Sequence, residues 1–455
     1  MPTGPDIIDF PYRSDVDMLF SRLRRLDGAI WLDSGKPRSR QGRFDILSAL
    51  PQWRLETRGH ETLLSTARGV RQPCSGDPFV AGDELLAEMG LVSQDFAYLP
   101  FVGGLMGYWQ YDLGLAADGP CLQSPAATTM RLGWYGWGLV IDHQARRGWL
   151  IFHPRCDPKI RIRITETLQS TDKKEQIEFT ITRPFRSNTT RADYLDTVRR
   201  IGDYISAGDC YQVNYAQRFS AGYRGDPWAA YRKLRQAVPS PYGAYLDWEG
   251  EALLCASPER FLKVSLGQVE TKPIKGTIAR GRTLAEDEEN AISLMNSGKD
   301  RAENLMIVDL LRNDLGKHCV PGSIKVPKLF ALESFANVHH LVSTVTGTLA
   351  PGSTPLQLLR DAFPGGSITG APKKRAMEII AELETAPRGL YCGSIGYMSA
   401  TGRLDSNIAI RTLVASGDEI HCWGGGGIVA DSVAEREYEE SLQKVAVLMK
   451  TLEGA

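Results

Sequence analysis

The chain has 455 residues and a formal net charge of −1, with 42% hydrophobic and 24% charged residues. This composition is that of an ordinary globular protein, and the near-neutral charge argues against nucleic acid as the main partner, because proteins that bind phosphate backbones carry a clear basic excess. Eight scattered cysteines form no CxxC pair, which predicts reduced thiols in a cytoplasmic protein. With neither a signal-peptide pattern nor an apolar run of about 18 residues, no membrane association is expected.

The N-terminal portion, residues 1–171, is predicted to consist mainly of β-strands. A helical string, DVDMLFSRLRRL, comes first. The strings IWLDS, FDILSAL, GGLMGYWQYDLG and MRLGWYGWGLVIDH follow, and they are rich in the aromatic and branched side chains that favour strands. Residues 172–190 are polar and charged and contain Pro184, so they are predicted to form a connecting loop.

The C-terminal portion, residues 191–455, alternates helices and strands. RADYLDTVRRIGDYISAG, DRAENLMIVDLLRNDLG and SVAEREYEESLQKVAVLMKTLE are predicted helices, and CYQVNYAQRF, GAYLDW, ALLCAS and HCWGGGGIVA are predicted strands. Short turns in VSLGQVETK and MSATGRLDS favour antiparallel hairpins. The pattern therefore predicts an α+β fold rather than a doubly wound α/β sheet, and it leaves open whether the two portions share one core.

Two glycine-rich stretches do not fit nucleotide-binding motifs. In GGSITGAPKK, Gly365 and Gly370 have the spacing of a phosphate loop, but Ala371 and Pro372 stand where Lys and Ser/Thr should follow. The GGGG run at 424–427 follows a strand and does not open a helix, unlike a dinucleotide motif. We interpret both stretches as turns whose backbone approaches a ligand, and a merely flexible turn is the alternative for the second.

Acidic side chains recur at helical spacing in two places. Asp300 and Glu303 are three residues apart on one predicted helix, and Glu437 and Glu440 repeat the spacing on the last one. Residues three apart share a helix face, so two facing pairs would create the hard-oxygen environment that Mg²⁺ prefers. On spacing alone, two solvated helix faces are the more common alternative.

Three other side chains are candidates for catalysis. Lys275 in PIKGT and Glu259 in SPERF lie on what read as two strands of one hairpin. Burial would lower the pKa of the lysine and free its amine for attack, and it would raise the pKa of the glutamate as a general acid requires. His340 in VHHLVST is either a core histidine or a proton-handling one. Surface positions for Lys275 and Glu259 remain the alternative on strand pattern alone.

These strings occur together in one order: CYQVN, SPERF, PIKGT, DRAENLMIVDLLRND, HHLVST, FPGGSITGAPK, GSIGY, IAIRT, GGGGIVADS and the acidic last helix. The combination resembles the chorismate-utilising enzymes, which include the anthranilate, aminodeoxychorismate, isochorismate and salicylate synthases. The resemblance is strong over about residues 190–450 and looser before them. It implies an anthranilate synthase component I-like fold, a single chorismate-binding unit over residues 1–455 in which two antiparallel β-sheets pack as a sandwich with helices outside.

The resemblance also implies the ligands of the substrate. Mg²⁺ would bind the ring carboxylate of chorismate, held directly by Glu303 and Glu440 and mainly through water by Asp300 and Glu437. His340 would lie beside the departing C4 hydroxyl or near the ring. Further substrate-binding residues would include the pair for the enolpyruvyl carboxylate, Tyr397 and Arg411, and donors from the glycine-rich stretches. The implied set is Thr277, Gly366, Ser367, Thr369, Gly370, Tyr397, Arg411, Gly425, Gly426 and Gly427.

Two positions separate the branches of this family. Isochorismate and salicylate synthases carry a lysine base where this chain has Gln212, and glutamine has no basic nitrogen to activate water. Anthranilate synthases have alanine where this chain has Lys275, which resembles the aminodeoxychorismate synthases. That resemblance implies attack of Lys275 on C2, departure of the C4 hydroxyl protonated by Glu259, and attack of ammonia on C4. An anthranilate synthase and a non-catalytic tryptophan-binding subunit are the alternatives.

The family resemblance also suggests two further binding partners, a protein subunit and a small molecule. The sequence contains no glutaminase segment, so ammonia is expected from a separate glutamine amidotransferase subunit. The strings WLDS and GRFD resemble the tryptophan pocket of the family, but Asp33 stands where anthranilate synthases have glutamate, so binding and regulation by L-tryptophan both stay open. The implied pocket consists of Ser34, Arg43, Phe44, Asp45, Pro241, Tyr242 and Gly243.

Overall fold

Two antiparallel β-sheets organise the computed structural model, which describes residues 4–66, 69, 71–74, 76–115, 127–170, 178–335 and 338–454. Within these ranges the strands are β1 (Asp6–Phe10), β2 (Ile30–Asp33), β3 (Phe44–Ser48), β4 (Trp53–Arg58), β5 (Glu61–Thr66), β6 (Arg71–Pro73), β7 (Gly104–Trp109), β8 (Thr128–Tyr135), β9 (Trp137–Asp142), β10 (Arg147–Phe152), β11 (Phe179–Ser187), β12 (Gln212–Gly225), β13 (Tyr242–Trp248), β14 (Glu251–Ser257), β15 (Arg260–Ser265), β16 (Gln268–Thr271), β17 (Ile274–Ala279), β18 (Lys325–Ser334), β19 (Val338–Thr348), β20 (Gly370–Ala371), β21 (Ser394–Ser399), β22 (Leu404–Asn407), β23 (Thr412–Ser416) and β24 (Glu419–Ile428).

Helices cover the outer faces of the sheets. In the same ranges they are α1 (Asp17–Leu23), α2 (Pro78–Met89), α3 (Pro158–Gln169), α4 (Arg191–Ser206), α5 (Pro227–Ala237), α6 (Leu284–Asn296), α7 (Gly298–Gly316), α8 (Pro355–Ala362), α9 (Lys373–Leu383) and α10 (Ala434–Glu453). The predicted helices over the acidic strings are confirmed as α7 and α10. No helix in the described part of the chain has the length and apolar character needed to cross a membrane.

Both sheets contain strands from both portions of the chain. Sheet 1 has the order β1-β10-β9-β3-β2-β13-β14-β23-β24-β12-β11, with β20 beside β12. Sheet 2 has the order β17-β19-β16-β15-β22-β21-β7-β8-β4-β5-β6, with β18 beside β19. The predicted α+β fold with two antiparallel sheets is therefore confirmed.

The core lies in three layers, which explains why the sheets pack as a sandwich. Between the sheets, Ile46 and Val140 of sheet 1 pack with Met106 and Ile395 of sheet 2. A second cluster fills the space between sheet 1 and its helices, and a third lies between sheet 2 and its helices. Apolar side chains on both faces of a strand make nearly continuous hydrophobic runs, such as MRLGWYGWGLVIDH, and each buried side chain stabilises the fold by about 1.5–3 kcal/mol.

The connecting loop predicted for residues 172–190 is wrong over much of its length. Residues 179–187 form β11, which pairs with β12 at the edge of sheet 1, and residues 171–177 lie outside the described residues. Pro184 lies where the register shifts between Arg183 and Arg186. An edge strand tolerates proline because the N–H that proline lacks need not pair with a neighbouring strand.

The predicted strand HCWGGGGIVA is confirmed as part of β24, whereas the interpretation of its GGGG run as a turn is wrong. Residues 424–427 continue straight through β24, where they pair with residues 214–217 of β12. A side chain on Gly424 would place its Cβ 2.1 Å from the carbonyl oxygen of Ser441 in α10. Glycine therefore lets α10 lie directly on the strand, a reason that the sequence alone does not reveal.

The hairpin predicted to join SPERF and PIKGT is wrong as well. β15 pairs with β16 and β22, whereas β17, which carries Lys275, pairs with β19. Glu259 lies just before β15, so it reaches the neighbourhood of Lys275 across the sheet and not along a hairpin. The hairpin turns predicted in VSLGQVETK and MSATGRLDS are confirmed between β15 and β16 and between β21 and β22.

Candidate active site

Lys275 lies in a β-bulge. The pairing of β17 with β19 matches Ile274 with Val342 and then Thr277 with His340, so β17 holds one extra residue between the two pairs. Gly276, in this bulge, has a φ of +82° and lies so close to α7 that a Cβ there would be 3.0 Å from Asp300. Bulges redirect side chains at functional sites, and this one frees Lys275 from the regular alternation of the strand.

The surroundings of Lys275 favour its uncharged form. Burial lowers the pKa of the lysine, although the carboxylates of Glu303, Glu259 and Glu440 act in the opposite direction. Lys444 lowers it further through charge repulsion. An amine with a lowered pKa is uncharged more of the time near neutral pH and can act as a nucleophile.

Glu259 has the opposite shift, as a general acid requires. The residue is 4% exposed, and burial raises the pKa of its carboxyl group to about 7. The hydroxyl of Ser367 donates a hydrogen bond to Oε1 at 2.7 Å and partly offsets this effect, as does the charge of Lys275. The group is therefore protonated about half of the time near pH 7 and has a proton to give.

His340 is held by Thr277 and has one free nitrogen. Its Nδ1 lies 2.8 Å from the Thr277 hydroxyl, and its ring packs edge-on against Phe335. Burial, reinforced by the positive charge of Arg411, lowers the pKa of the imidazole to about 3, so the ring is neutral at physiological pH. Nε2 is buried without a hydrogen-bond partner among the described residues, which leaves it available to a ligand.

Arg411 supplies a positive charge beside His340. Burial lowers the pKa of its guanidinium group. Its backbone adopts a φ of +50°, in the left-handed region that non-glycine residues seldom occupy and that is enriched at functional sites. A half-buried guanidinium here fits the carboxylate-binding role that the family resemblance implies for it.

The four predicted acidic residues lie on two helices that flank the bulge. Asp300 and Glu303 project from α7, and Glu437 and Glu440 project from α10. Carboxylate oxygens of Glu437 and Glu440 lie 3.5 and 3.2 Å from where a Cβ on Gly426 would be, so the absent side chain of Gly426 leaves room for them. Burial raises the pKa of Glu303, and the negative charges of Asp300 and Glu440 add to the shift. The carboxylates of Asp300 and Glu440 therefore lie close enough to Glu303 for their charges to interact with it.

Two lysines that the sequence analysis did not identify lie among these carboxylates. Lys299 Nζ is 3.5 Å from Glu437 and 4.0 Å from Glu303. Lys444 Nζ is 2.7 Å from Glu440 and donates a hydrogen bond to the carbonyl oxygen of Gly425 at 2.9 Å. Burial alone would raise the pKa of Glu440, but Lys444, together with Lys299 and Lys275, outweighs it and the pKa is lowered. Helical spacing hinted at both, since Lys299–Glu303 and Glu440–Lys444 are i,i+4 pairs.

The acidic residues fit a magnesium ion in the type of their donor atoms. Mg²⁺ takes oxygen ligands and commonly uses one or two protein carboxylates with waters and substrate oxygens. Among the described residues, no three histidine, cysteine or acidic side chains converge on one point that would already hold a metal. The cation would therefore compete with the ammonium groups of Lys299 and Lys444 for Glu303 and Glu440.

The predicted glycine loop, residues 365–370, closes one side of the site. It forms a short 3-10 helix over residues 366–368 and then pairs through β20 with the start of β12. Gly366 packs against Leu310 of α7, where any side chain would collide. Thr369 is fully buried and its hydroxyl donates to the carbonyl oxygen of Gly365 at 3.1 Å, so it supports the loop from within.

Gln212, at the start of β12, faces the other side of the glycine strand. A Cβ on Gly427 would lie 2.5 Å from its amide nitrogen. The side chain is fully buried, and neither its nitrogen nor its oxygen has a hydrogen-bond partner among the described residues. A buried amide without partners is costly, so the position fits an amide that pairs with a bound ligand.

Tyr397 does not join this group of residues. Its ring packs edge-on against Phe101, and it lines a separate pocket beside Asp405. Strand β21 directs successive side chains to opposite faces of sheet 2, and Tyr397 points to the face that meets sheet 1. The structure therefore does not bring Tyr397 together with Arg411 as the expected carboxylate pair.

The predicted tryptophan pocket is a cavity of about 130 Å³. Five of its seven predicted residues line it, namely Arg43, Phe44, Pro241, Tyr242 and Gly243. Asp45 lies behind the wall, where its carboxylate accepts a hydrogen bond from the backbone N–H of Ser34 at 2.7 Å. Asp33 lines the cavity, and burial raises the pKa of its carboxyl group to about 6, although its ion pair with Arg235 opposes the shift.

Comparison with known proteins places this site in a family. The family model described as chorismate binding enzyme matches residues 30–450. Aminodeoxychorismate synthase component 1 of Escherichia coli (strain K12) is 45% identical over 454 residues, which cover 99% of both chains. Anthranilate synthase component 1 of Aquifex aeolicus (strain VF5) is also 45% identical, but over 271 residues that cover 60% of this chain and 55% of that protein.

The solved structures include a close match to the fold. Anthranilate synthase component I from Streptococcus pneumoniae TIGR4 superposes with a TM-score of 0.78 and 31% sequence identity. The match covers 90% of this chain and 92% of that one. The expected anthranilate synthase component I-like fold is thereby confirmed.

Proposed function

The chain belongs to the family of chorismate-binding enzymes, and on that premise we propose that it aminates chorismate at C4 to give 4-amino-4-deoxychorismate, a step in 4-aminobenzoate and folate synthesis. The observation that carries the proposal is the position of Lys275 in the bulge of β17, where burial lowers the pKa of its amine. The full-length relative from Escherichia coli, named aminodeoxychorismate synthase component 1, supports the same reaction.

The reaction runs in two displacements. The uncharged amine of Lys275 forms a bond to C2 of chorismate, and the C4–O bond breaks as the ring double bonds shift. Glu259 gives its proton to the departing oxygen, which leaves as water. Ammonia then forms a bond to C4 while the bond between C2 and the lysine nitrogen breaks. Dividing one difficult substitution into two is the general advantage of covalent catalysis.

The remaining residues bind and orient the substrate. Arg411 pairs with the enolpyruvyl carboxylate, and His340 offers its free Nε2 to the region of the C4 oxygen. Glu303 and Glu440 would hold Mg²⁺, which would supply charge neutralisation for the ring carboxylate of chorismate. The buried and neutral state of His340 suits hydrogen bonding rather than charge pairing.

Gln212 favours amination over hydration. Its side chain is buried and carries no basic nitrogen, so it offers no base to deprotonate a water molecule beside C2. Lys275 separates this chain from an anthranilate synthase in the same way, because direct attack of ammonia at C2 needs no protein amine there. We propose that the ammonia comes from a separate glutamine amidotransferase subunit, consistent with the designation component 1 in the relatives.

The product of the purified chain tests this proposal. Incubation with chorismate, Mg²⁺ and an ammonium salt should give an aminated product that retains its enolpyruvyl group, as mass spectrometry after separation would detect. A fluorescent aromatic product with release of pyruvate would instead identify an anthranilate synthase. If chorismate is not consumed with ammonia and Mg²⁺ present, the chain is a non-catalytic binding subunit.

We propose that the separate pocket binds L-tryptophan. Phe44 and Tyr242 supply aromatic walls, and Asp33 and Asp405 supply carboxylates for an ammonium group. The guanidinium group of Arg43 lies 4.5 Å from the ring centre of Phe44, so an aromatic ligand would extend an existing stack.

Replacing Phe44 by alanine should weaken tryptophan binding. Loss of an aromatic wall should lower the affinity about tenfold, which corresponds to about 1.4 kcal/mol. Calorimetric titration with L-tryptophan would measure the change, with L-alanine as the ligand control. Phe185→Ala is a matched variant, since Phe185 is also half-buried but lies on β11 outside the pocket. Equal affinities in Phe44→Ala and the original chain would refute the assignment.

A further inference from the structure

One edge of strand β12 lacks a strand partner for part of its length. On the other edge, β24 pairs with residues 213–222 of β12 without interruption. On the edge in question, β20 pairs with residues 212–213 and β11 with residues 219–225, which leaves residues 214–218 between them without a paired strand in the described part of the chain. Buried backbone groups need hydrogen-bond partners, so something else must serve this stretch.

Two side chains replace the missing strand. Arg388 Nη2 donates to the carbonyl oxygen of Asn214 at 2.6 Å, and Glu384 Oε1 accepts from the N–H of Ala216 at 2.9 Å. The same two residues form a two-point ion pair, with Nε–Oε2 at 2.9 Å and Nη2–Oε1 at 2.7 Å. We call this pair, Glu384 and Arg388, the β12 clamp.

The clamp is deeply buried and closely packed against an aromatic ring. Arg388 is 1% exposed and Glu384 is 6% exposed. The guanidinium group lies 4.5 Å from the ring centre of Tyr111. A buried guanidinium is tolerated only when a carboxylate and hydrogen-bond acceptors satisfy it, so this arrangement fixes its position closely.

The clamp also holds the glycine loop of the active site. Arg388 Nη1 donates to the carbonyl oxygen of Ile368 at 2.9 Å. Ile368 directly follows Ser367, whose hydroxyl donates to Glu259 Oε1 at 2.7 Å. A continuous set of contacts therefore runs from the clamp through the loop to the carboxyl group that gives the proton in the proposed reaction.

We propose that Arg388, held by Glu384, is a positioning residue for Glu259, because it fixes the glycine loop so that the Ser367 hydroxyl stays on the Glu259 carboxyl group. The inference deepens the proposed function and rests on it for the role of Glu259. The geometry makes Arg388 act through Ile368 and Ser367, without contact to the substrate.

The proposal has a consequence for the pH dependence of the reaction. Burial raises the pKa of Glu259 to about 7, and the opposing influences are the Ser367 hydroxyl, the charges of Lys275 and Lys444, and the backbone N–H of Ile274. Cys392 also interacts with this carboxyl group.

Loss of the Ser367 hydrogen bond removes one influence that stabilises the carboxylate, so the pKa of Glu259 rises further. A general acid works only when protonated, and the rate falls as pH increases through its pKa. The fall should therefore move to higher pH when the clamp is loosened.

Arg388→Lys tests the proposal because it keeps the charge and loses the planar fork that reaches both carbonyl groups. In the full chain with chorismate, Mg²⁺ and an ammonium salt, we expect kcat at the optimum to fall at least about tenfold, since misplaced acid groups cost rate. The pH at which kcat falls should rise by a similar amount in Arg388→Lys and in Ser367→Ala. Combining the two changes should raise this pH no further.

Arg131→Lys is the matched control. Arg131 is 6% exposed, pairs with Glu56 at 2.6 Å and donates to the carbonyl oxygen of Trp248 at 3.3 Å, and neither partner belongs to the glycine loop. Arg131→Lys should lower thermal stability as much as Arg388→Lys does, but it should leave kcat and the pH dependence of kcat unchanged. If Arg388→Lys lowers stability as Arg131→Lys does and leaves the pH dependence unmoved, the clamp is only structural and the proposal fails.

A second measurement separates this proposal from the proposed function. The infrared carboxyl band that disappears in Glu259→Gln reports the protonation of Glu259 without any reaction. Its titration midpoint should rise in Ser367→Ala and Arg388→Lys whether or not chorismate is aminated. If Arg388→Lys does not fold, Glu384→Gln, which keeps the size and loosens the ion pair, should move the midpoint in the same direction, and an unmoved midpoint would refute the proposal.

Discussion

Replacing Lys275 by methionine should reduce amination of chorismate at C4 more than about a thousandfold, because the change removes the nucleophile of the proposed reaction. Methionine keeps the apolar stem and removes a charge that is already costly to bury, so the free energy of unfolding should not decrease. Initial rates with ammonium salt, measured on chains with matched melting temperatures, would check the result.

The covalent route adds a second measurement. Incubation of the original chain with chorismate and Mg²⁺ but without ammonia should leave the mass of chorismate minus water on the peptide that contains Lys275. Lys263→Met is the matched control, because burial also lowers the pKa of Lys263, which lies on β15. It should keep both the rate and the adduct. An adduct on another lysine, or a rate within tenfold of the original in Lys275→Met, would contradict the mechanism.

Local periodicity explains which parts of the site could be predicted. Asp300 with Glu303 and Glu437 with Glu440 were expected on shared helix faces, and α7 and α10 confirm both helices. The spacing of three residues sets this geometry within a single helix and requires no knowledge of the rest of the fold. The two antiparallel sheets could be predicted for a similar reason, since aromatic and branched strings with short turns favour them.

Contacts between distant segments explain what could not be predicted. The GGGG run reads as a turn because glycine weakens strands, yet α10 needs those glycines in order to lie on β24. The direction of the Tyr397 side chain could not be predicted for the same reason, because it depends on how β21 is placed between the sheets. The bulge at Lys275 arises from the register between β17 and β19, which are separated by more than fifty residues of sequence.

The β12 clamp also lay beyond sequence reasoning. Glu384 and Arg388 have helical spacing but follow the end of α9, so the pattern suggests only an exposed pair. Their importance comes from the unpaired stretch of β12, which only the sheet order reveals.

Replacing Glu303 by glutamine should weaken Mg²⁺ binding by more than about a hundredfold, because even residues that only support metal ligands cost tenfold to a hundredfold when changed. Glutamine keeps the size of the side chain and removes the charge that a hard cation requires. Lys444→Met should have the opposite effect and tighten binding, since Lys444 holds Glu440 at 2.7 Å and must give up that ion pair. Calorimetric titration of the free chain with MgCl₂ would measure both changes.

The opposite changes in Mg²⁺ affinity that are expected for Glu303→Gln and Lys444→Met distinguish a metal site from two solvated acidic helix faces. On solvated faces both variants would change Mg²⁺ binding only slightly, because exposed charges are screened by salt. Glu289→Gln on α6, outside the carboxylate group, provides the control for loss of one negative charge. If Glu303→Gln and Glu289→Gln weaken binding equally, the carboxylates attract Mg²⁺ only through net charge. If Glu303→Gln alone weakens it and Lys444→Met strengthens it, the ammonium groups of the free chain stand where the cation binds.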